Sequence, residues 1–169
     1  MQQEFPDLGE PVEEISPREL KRRLDSGARL TLIDTRRPGD FEEWQITHPN
    51  LSTVNVPFTA FLDESGTEPA DSVPRSVPEG PLVASCAKGI SSTYVAEFLA
   101  SEGYDVVALA DGMEGWAQLY ERHPLSLPGA AGDVIQLHRP SSGCLSYLFV
   151  AGEEAAVIDP LRAFVKEYP

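Results

Sequence analysis

The sequence predicts an α/β fold, with a small, mainly parallel sheet flanked by helices, followed by a β-rich C-terminal segment. Three observations predict it. From about residue 15 to residue 123, strand-like apolar runs alternate with segments of helical spacing. The helical segments carry start and stop residues of their own. Past Gly132 the helical pattern gives way to successive strand-like runs.

Taken in order, residues 1–14 are polar, acidic and Pro-containing, and read as a loosely held tail. Ser16-Pro17-Arg18-Glu19 then supplies a helix start: Ser16 as cap, Pro17 at the first helical position and Glu19 completing a capping box. Leu20 and Leu24 give this helix its buried face, and Gly27 ends it. "LTLID" (30–34) reads as a buried strand, closed by the turn Thr35-Arg36-Arg37-Pro38-Gly39. "DFEEWQI" is a short helical or irregular piece, and "TVNVP" (53–57) a short strand. Residues 63–80, rich in Pro, Ser, Gly and acid, form a surface loop. "LVAS" leads into Cys86, and a helix follows from about Ile90 to Ser101, with Gly103 as its stop. "DVVAL" (105–109) is a further strand and "GMEGWAQLYERH" (112–123) a further helix, in which Trp116 is a core residue. "PLSLPGAAG" (124–132) reads as a linker. Beyond it "DVIQLHR", "LSYLFVAG" and "EAAVIDP" are strand-like, the last two joined by a Gly-Glu hairpin turn.

Composition narrows the function classes. The formal net charge of −14 and pI near 4.5 set up a field that repels nucleic acid and anionic lipid, so neither is expected as a partner. Lys21, Lys88 and Lys166 are the only lysines. Such an acidic, Lys-poor surface is a soluble one, and matches the composition of proteins from salt-loving microbes, where salt screens self-repulsion. No apolar run approaches the ~20 residues of a membrane span, and the acidic N-terminus lacks the basic start of a signal peptide. A soluble, cytoplasmic protein is expected. Its two cysteines, Cys86 and Cys144, are expected to be free thiols, with Cys144 packed and inert in a strand.

Cys86 is the residue with chemistry. At the carboxyl end of a strand in an open α/β sheet it sits where ligands bind. It also faces the free N–H groups and positive dipole end of the following helix, which favour thiolate over thiol. Lys88 adds a positive charge, Gly89 lets the loop curl so that amides converge on one anion, and Ser91 and Ser92 add hydroxyl donors. The plain alternative is a buried structural cysteine, which would need no Lys-Gly-Ile-Ser-Ser turn behind it.

The stretch "CAKGISSTYVAEFLASEGYDVVALADGMEGWAQL", with "ISPRELKRRL" and "LIDTRRPGDFEEW" before it, resembles a rhodanese domain of the sulfurtransferase family. The resemblance implies a rhodanese-like parallel sheet flanked by helices over residues 15–124, with an acidic tail at 1–14 and a linker at 125–132. It implies Cys86 as the nucleophile that takes sulfane sulfur from a donor such as thiosulfate or a persulfide. The Cys86 persulfide then passes that sulfur to a thiol or cyanide acceptor. Ala87, Lys88, Gly89, Ile90, Ser91 and Ser92 become the active-site loop, and no cofactor or metal is needed. Asp34 and Arg36 match the family's Asp-x-Arg: Asp34 as a brace for the turn, Arg36 as either a substrate-steering residue or a surface salt bridge. Phosphatases that share the fold carry an Arg after five intervening residues to clamp phosphate. Here that position is Ser92 and the loop has no Arg, so sulfur is the better substrate. The family's Gly-His-Ile is replaced by Trp44-Gln45-Ile46, and His48 reads as a loop residue rather than a base.

"VIQLHRPSSGCLSYLFVAGEEAAVIDP" resembles the first strands of a metallo-β-lactamase-fold domain, making residues 133–169 the opening of a second domain not completed here. The metal motif of that fold is absent, the only histidines are His48, His123 and His138, and Asp159 is assigned no ligand role. An unfinished sandwich of this kind exposes apolar strands. The segment is therefore expected to pair with a second copy, pack on the first domain, or be unstable. Two functional readings stand at this point. One is a sulfurtransferase; the other is a non-catalytic docking or regulatory module beside a metallo-β-lactamase-fold hydrolase or persulfide dioxygenase.

Overall fold

A computed structural model describes residues 11–162. Most of the acidic tail lies outside these residues. The chain divides into two compact units, up to Trp116 and from Ala117 onward.

The first unit is an α/β layer structure. Its sheet contains β1 (Glu14–Ile15), β2 (Leu30–Asp34), β3 (Leu51–Asn55), β4 (Leu82–Ser85) and β5 (Val106–Leu109). All pair in parallel, in the order β1-β5-β4-β2-β3. Every residue of central β4 is buried, as a parallel strand covered on both faces must be. From β2 the chain moves outward to β3, and from β4 it moves the other way to β5. The order therefore reverses between β2 and β4, and their carboxyl ends open the crevice where such sheets take ligands.

Helix α1 (Pro17–Asp25) starts as its sequence directs, the Glu19 amide donating to Ser16 Oγ at 3.1 Å. Only that half of the capping box forms. The Glu19 carboxylate is taken by two bonds from Arg22 (2.7 and 2.8 Å) and one from Arg23 (2.8 Å), rather than reaching back to the cap. Leu20 and Leu24 are fully buried. The turn after β2 opens α2 (Pro38–Glu43). A 3₁₀ turn at Phe58–Phe61 places Phe61 edge-on to Phe98 and Phe58 edge-on to Tyr94, both on α3 (Ile90–Ser101). Ile33, Ala84, Val95, Leu99 and Ala108 complete that core.

Three sequence expectations give way here. Glu14 and Ile15, assigned to or beside a loose tail, form an edge strand, because Ile15 buries its side chain and Ala108 donates its amide to the Glu13 carbonyl. The loop at 63–80 is not wholly at the surface, since Val77 is buried and Ala70 and Val73 pack beside it on the core. The helix expected over 112–123 ends early: α4 runs Gly112–Gln118, and Glu121–Leu125 form strand β6.

The second unit is an antiparallel sheet, β6-β7-β8-β9, with β7 at Asp133–Arg139, β8 at Cys144–Ala151 and β9 at Glu154–Ile158. Pairing with β7 draws residues 121–125 out of the helix, and Pro124 is tolerated because β6 is an edge strand of this sheet. Gly152, at φ +62°, opens the two-residue hairpin between β8 and β9. Cys144 is exposed rather than packed, since it stands at the first position of β8, where the strand's two leading residues are both open to solvent. Both cysteines are free. Among the described residues no helix is long and apolar enough to cross a membrane.

Candidate active site

Cys86 follows the last residue of β4, and Ser85 lies in register with Asp34 at the end of β2. The sulfur thus stands at the reversal point of the sheet, at the amino end of a 12-residue helix. The Gly89 amide donates to Cys86 Sγ at 3.1 Å and Ser92 Oγ donates at 3.4 Å. Gly89 caps α3 at φ +87°, a conformation open to glycine at little cost. A Cβ at this position would also meet the Asp111 amide at 2.9 Å.

Cys86 as a residue is only 6% exposed. Burial pushes its pKa up. The hydroxyls of Ser91 and Ser92 and the amides of Ser92 and Lys88 oppose that and win, so the Cys86 thiol titrates below its ordinary value. A hydroxyl has one proton to give. Ser92 Oγ lies within reach of both Cys86 Sγ and the Gly89 carbonyl (3.1 Å), so it serves one at a time. The Gly89 carbonyl also accepts from the Thr93 amide at 3.2 Å, so it does not depend on the Ser92 hydroxyl, which is left available to the sulfur.

Helix α4 explains why the loop amides turn inward. The Met113 amide donates to the Cys86 carbonyl at 2.8 Å and the Glu114 amide to the Ala87 carbonyl at 3.0 Å. With its carbonyls drawn outward, the loop presents N–H groups to the sulfur. This approach needs Gly112, at φ +51°, where a Cβ would sit 2.2 Å from the Cys86 carbonyl oxygen. Asp111, at φ +56°, takes the left-handed conformation just before it. The sequence marks "GMEGW" as part of a signature, but nothing in it shows that Gly112 and Met113 hold the cysteine loop; a glycine directly after a strand end was the available signal.

Asp34 and Arg36 form a buried ion pair beneath the neighbouring turn, not a surface one. Arg36 Nη2 donates to Asp34 Oδ2 at 2.6 Å, and Nε lies 3.0 Å from both carboxylate oxygens. The Arg36 amide also donates to Asp34, and Nη2 donates to the Trp44 carbonyl at 2.6 Å. The guanidinium is thereby committed to holding the turn, which departs from a steering role. Asn55 donates to the carbonyls of Asp34 and Arg36, and Thr35 bonds the Ser85 carbonyl through both its amide and its hydroxyl. The turn is thus pinned to β3 on one side and to the cysteine strand on the other.

Of the remaining loop residues, Ala87, Lys88 and Ile90 are exposed at the rim. Lys88 Nζ stands 3.9 Å from Glu114 Oε1, a loose surface pair. Ile90 is 67% exposed, unusual for its side chain and placed beside the cysteine loop. His48 lies apart from this group, with its ring nitrogens 3.2 Å from Asp25 Oδ1 and 3.1 Å from the Asn50 amide. Trp116 is buried.

A parallel sheet with a reversal point, and a lone cysteine held there by converging donors, define an α/β domain built around an activated thiol. The chain belongs to the rhodanese-like domain family, whose model matches residues 16–119. It is 29% identical over 109 residues to a protein named thiosulfate sulfurtransferase GlpE from Haemophilus influenzae, covering 64% of this chain and 90% of that protein. It is 30% identical over 105 residues to a protein named probable adenylyltransferase/sulfurtransferase MoeZ from Mycobacterium tuberculosis, covering 62% of this chain and 24% of that protein. Among solved structures, a rhodanese-related protein from Thermoplasma volcanium aligns over 62% of this chain and 89% of its own, with TM-score 0.46 and 19% identity.

Proposed function

We propose that this chain is a sulfurtransferase that carries sulfane sulfur on Cys86. The convergence of the Gly89 amide and the Ser92 hydroxyl on Cys86 Sγ carries this reading. In the first half-reaction the Cys86 thiolate attacks the outer sulfur of thiosulfate or of a persulfide. The donor's S–S bond breaks and its electron pair leaves with sulfite or with the donor thiolate. A Cys86 persulfide remains. In the second, a thiolate or cyanide attacks the terminal sulfur, and the Cys86 thiolate departs with the electron pair, ready for another cycle. The charge stays anionic throughout, and the loop amides, the α3 dipole and the serine hydroxyls are placed to stabilise it without rearrangement. Lys88 at the rim favours a dianionic donor against the −14 background. Asp34 and Arg36 act as braces for the turn beside the loop.

The competing docking-module reading requires no activated thiol, and the donor set around Cys86 argues against it. Incubation with thiosulfate is expected to add one sulfur to Cys86, seen by intact mass. Cyanide is then expected to release thiocyanate with turnover. Both signals should vanish in Cys86→Ser. Turnover that survives Cys86→Ser would overturn the proposal, and so would a wild-type chain that never acquires the sulfur.

A further inference from the structure

The sequence offers three scattered histidines and no metal motif, and metal was expected to play no part. Antiparallel pairing in the second unit changes the picture. Glu121 on β6 lies directly opposite His138 on β7, and His123, two residues along β6, projects from the same face. Glu121 Oε2 stands 3.1 Å from His138 Nδ1 and 3.8 Å from His123 Nε2. One ligand atom from each residue falls within 4.8 Å of the others. The intervening Arg122 alternates to the opposite face of the strand and donates to Tyr120 Oη.

We infer that Glu121, His123 and His138 form a binding site for a late first-row divalent cation, with zinc as the representative ion. Bonds of ~2.0–2.1 Å at tetrahedral angles put ligand atoms about 3.3 Å apart. Those two separations bracket that value and the third lies within 4.8 Å, so side-chain rotations close the triad on one ion. Two imidazoles and one carboxylate suit zinc and its neighbours, whereas magnesium and calcium call for oxygen donors. The ladder holds two of the three ligands as a direct cross-strand pair, so little order remains to be imposed on binding. His123 is half exposed, which leaves the fourth coordination position to water. The acidic chain also raises the local concentration of cations.

The test is calorimetric titration of zinc into the full chain carrying Cys86→Ser and Cys144→Ser, which removes thiolate binding. One equivalent is expected to bind, and magnesium is not. In that background His123→Ala, His138→Ala and Glu121→Gln should each weaken zinc by more than about tenfold, the lower end of what losing even an outer-shell partner does. Imidazole NMR resonances of the otherwise unsubstituted thiol-free chain provide a readout that does not depend on those variants folding. Zinc should shift the signals of His123 and His138 and leave those of His48 in place. Absence of zinc binding in the thiol-free chain would overturn the inference. Binding that shifts only His48, or that is undiminished by His138→Ala, would overturn it equally.

Discussion

A thiol that loses solvent on folding would ordinarily resist ionisation; Cys86 does the reverse because donors outnumber the effect of its burial. Ser92 is the donor whose removal is cleanest to read, since the Thr93 amide still serves the Gly89 carbonyl. In Ser92→Ala the pH profile of Cys86 alkylation should move alkaline, since a hydrogen bond to the charged sulfur is lost. The same thiol links acidity to folding. Its folded pKa lies below its ordinary, unfolded value. Its stabilising contribution is therefore complete above that value and is lost as pH falls through the folded one. Urea midpoints across that window should climb with pH more steeply in the wild-type chain than in Cys86→Ser. A parallel pair of curves would refute the linkage. Lys88, exposed and loosely paired, should matter less: Lys88→Ala is expected to raise KM for thiosulfate a few-fold and leave the urea midpoint unchanged.

Two elements hold the cysteine loop, and each fails in its own way. The α4 approach depends on Gly112, so Gly112→Ala forces a methyl into the Cys86 carbonyl and should cost more than about 2 kcal/mol in chemical denaturation. The β2 turn depends on the buried Asp34–Arg36 pair. Arg36→Ala leaves a carboxylate in the interior without its cation and should cost about 3–5 kcal/mol, measured the same way. Lysine is not an adequate substitute, because the contact uses the guanidinium fork and reaches the Trp44 carbonyl as well. These supports show what a sequence reveals and what it withholds. The strand-Cys-Gly-helix order was legible because local signals specify it: apolar runs, a glycine at the cap and helical spacing after it. The destination of Arg36 was not, since Asp-x-Arg fixes proximity but not whether the guanidinium turns inward or toward solvent. The end of α4 was misread because "YERH" continues a helical pattern, and only pairing with β7, more than ten residues further on, decides for a strand.

At the scale of the whole chain the dominant quantity is charge. A net −14 on 169 residues opposes both folding and the approach of a dianion. Added salt should raise the melting temperature, and it should raise kcat/KM for dianionic thiosulfate more than for a singly charged persulfide donor. A rate for thiosulfate that drops with salt would show that the field of the rim, not of the chain, governs capture. The triad on β6 and β7 was invisible in the sequence for a related reason: residues 121 and 138 meet only through strand register, which no local motif encodes. One further consequence follows from how little of Cys86 reaches solvent. The sulfur proposed to be carried on Cys86 would lengthen the side chain by an S–S bond of about 2.05 Å. The outer atom would then lie one bond beyond the inner one, which the Gly89 amide and the Ser92 hydroxyl hold. A loaded chain should thus be labelled by bulky electrophiles faster than an empty one, making the cargo its own handle.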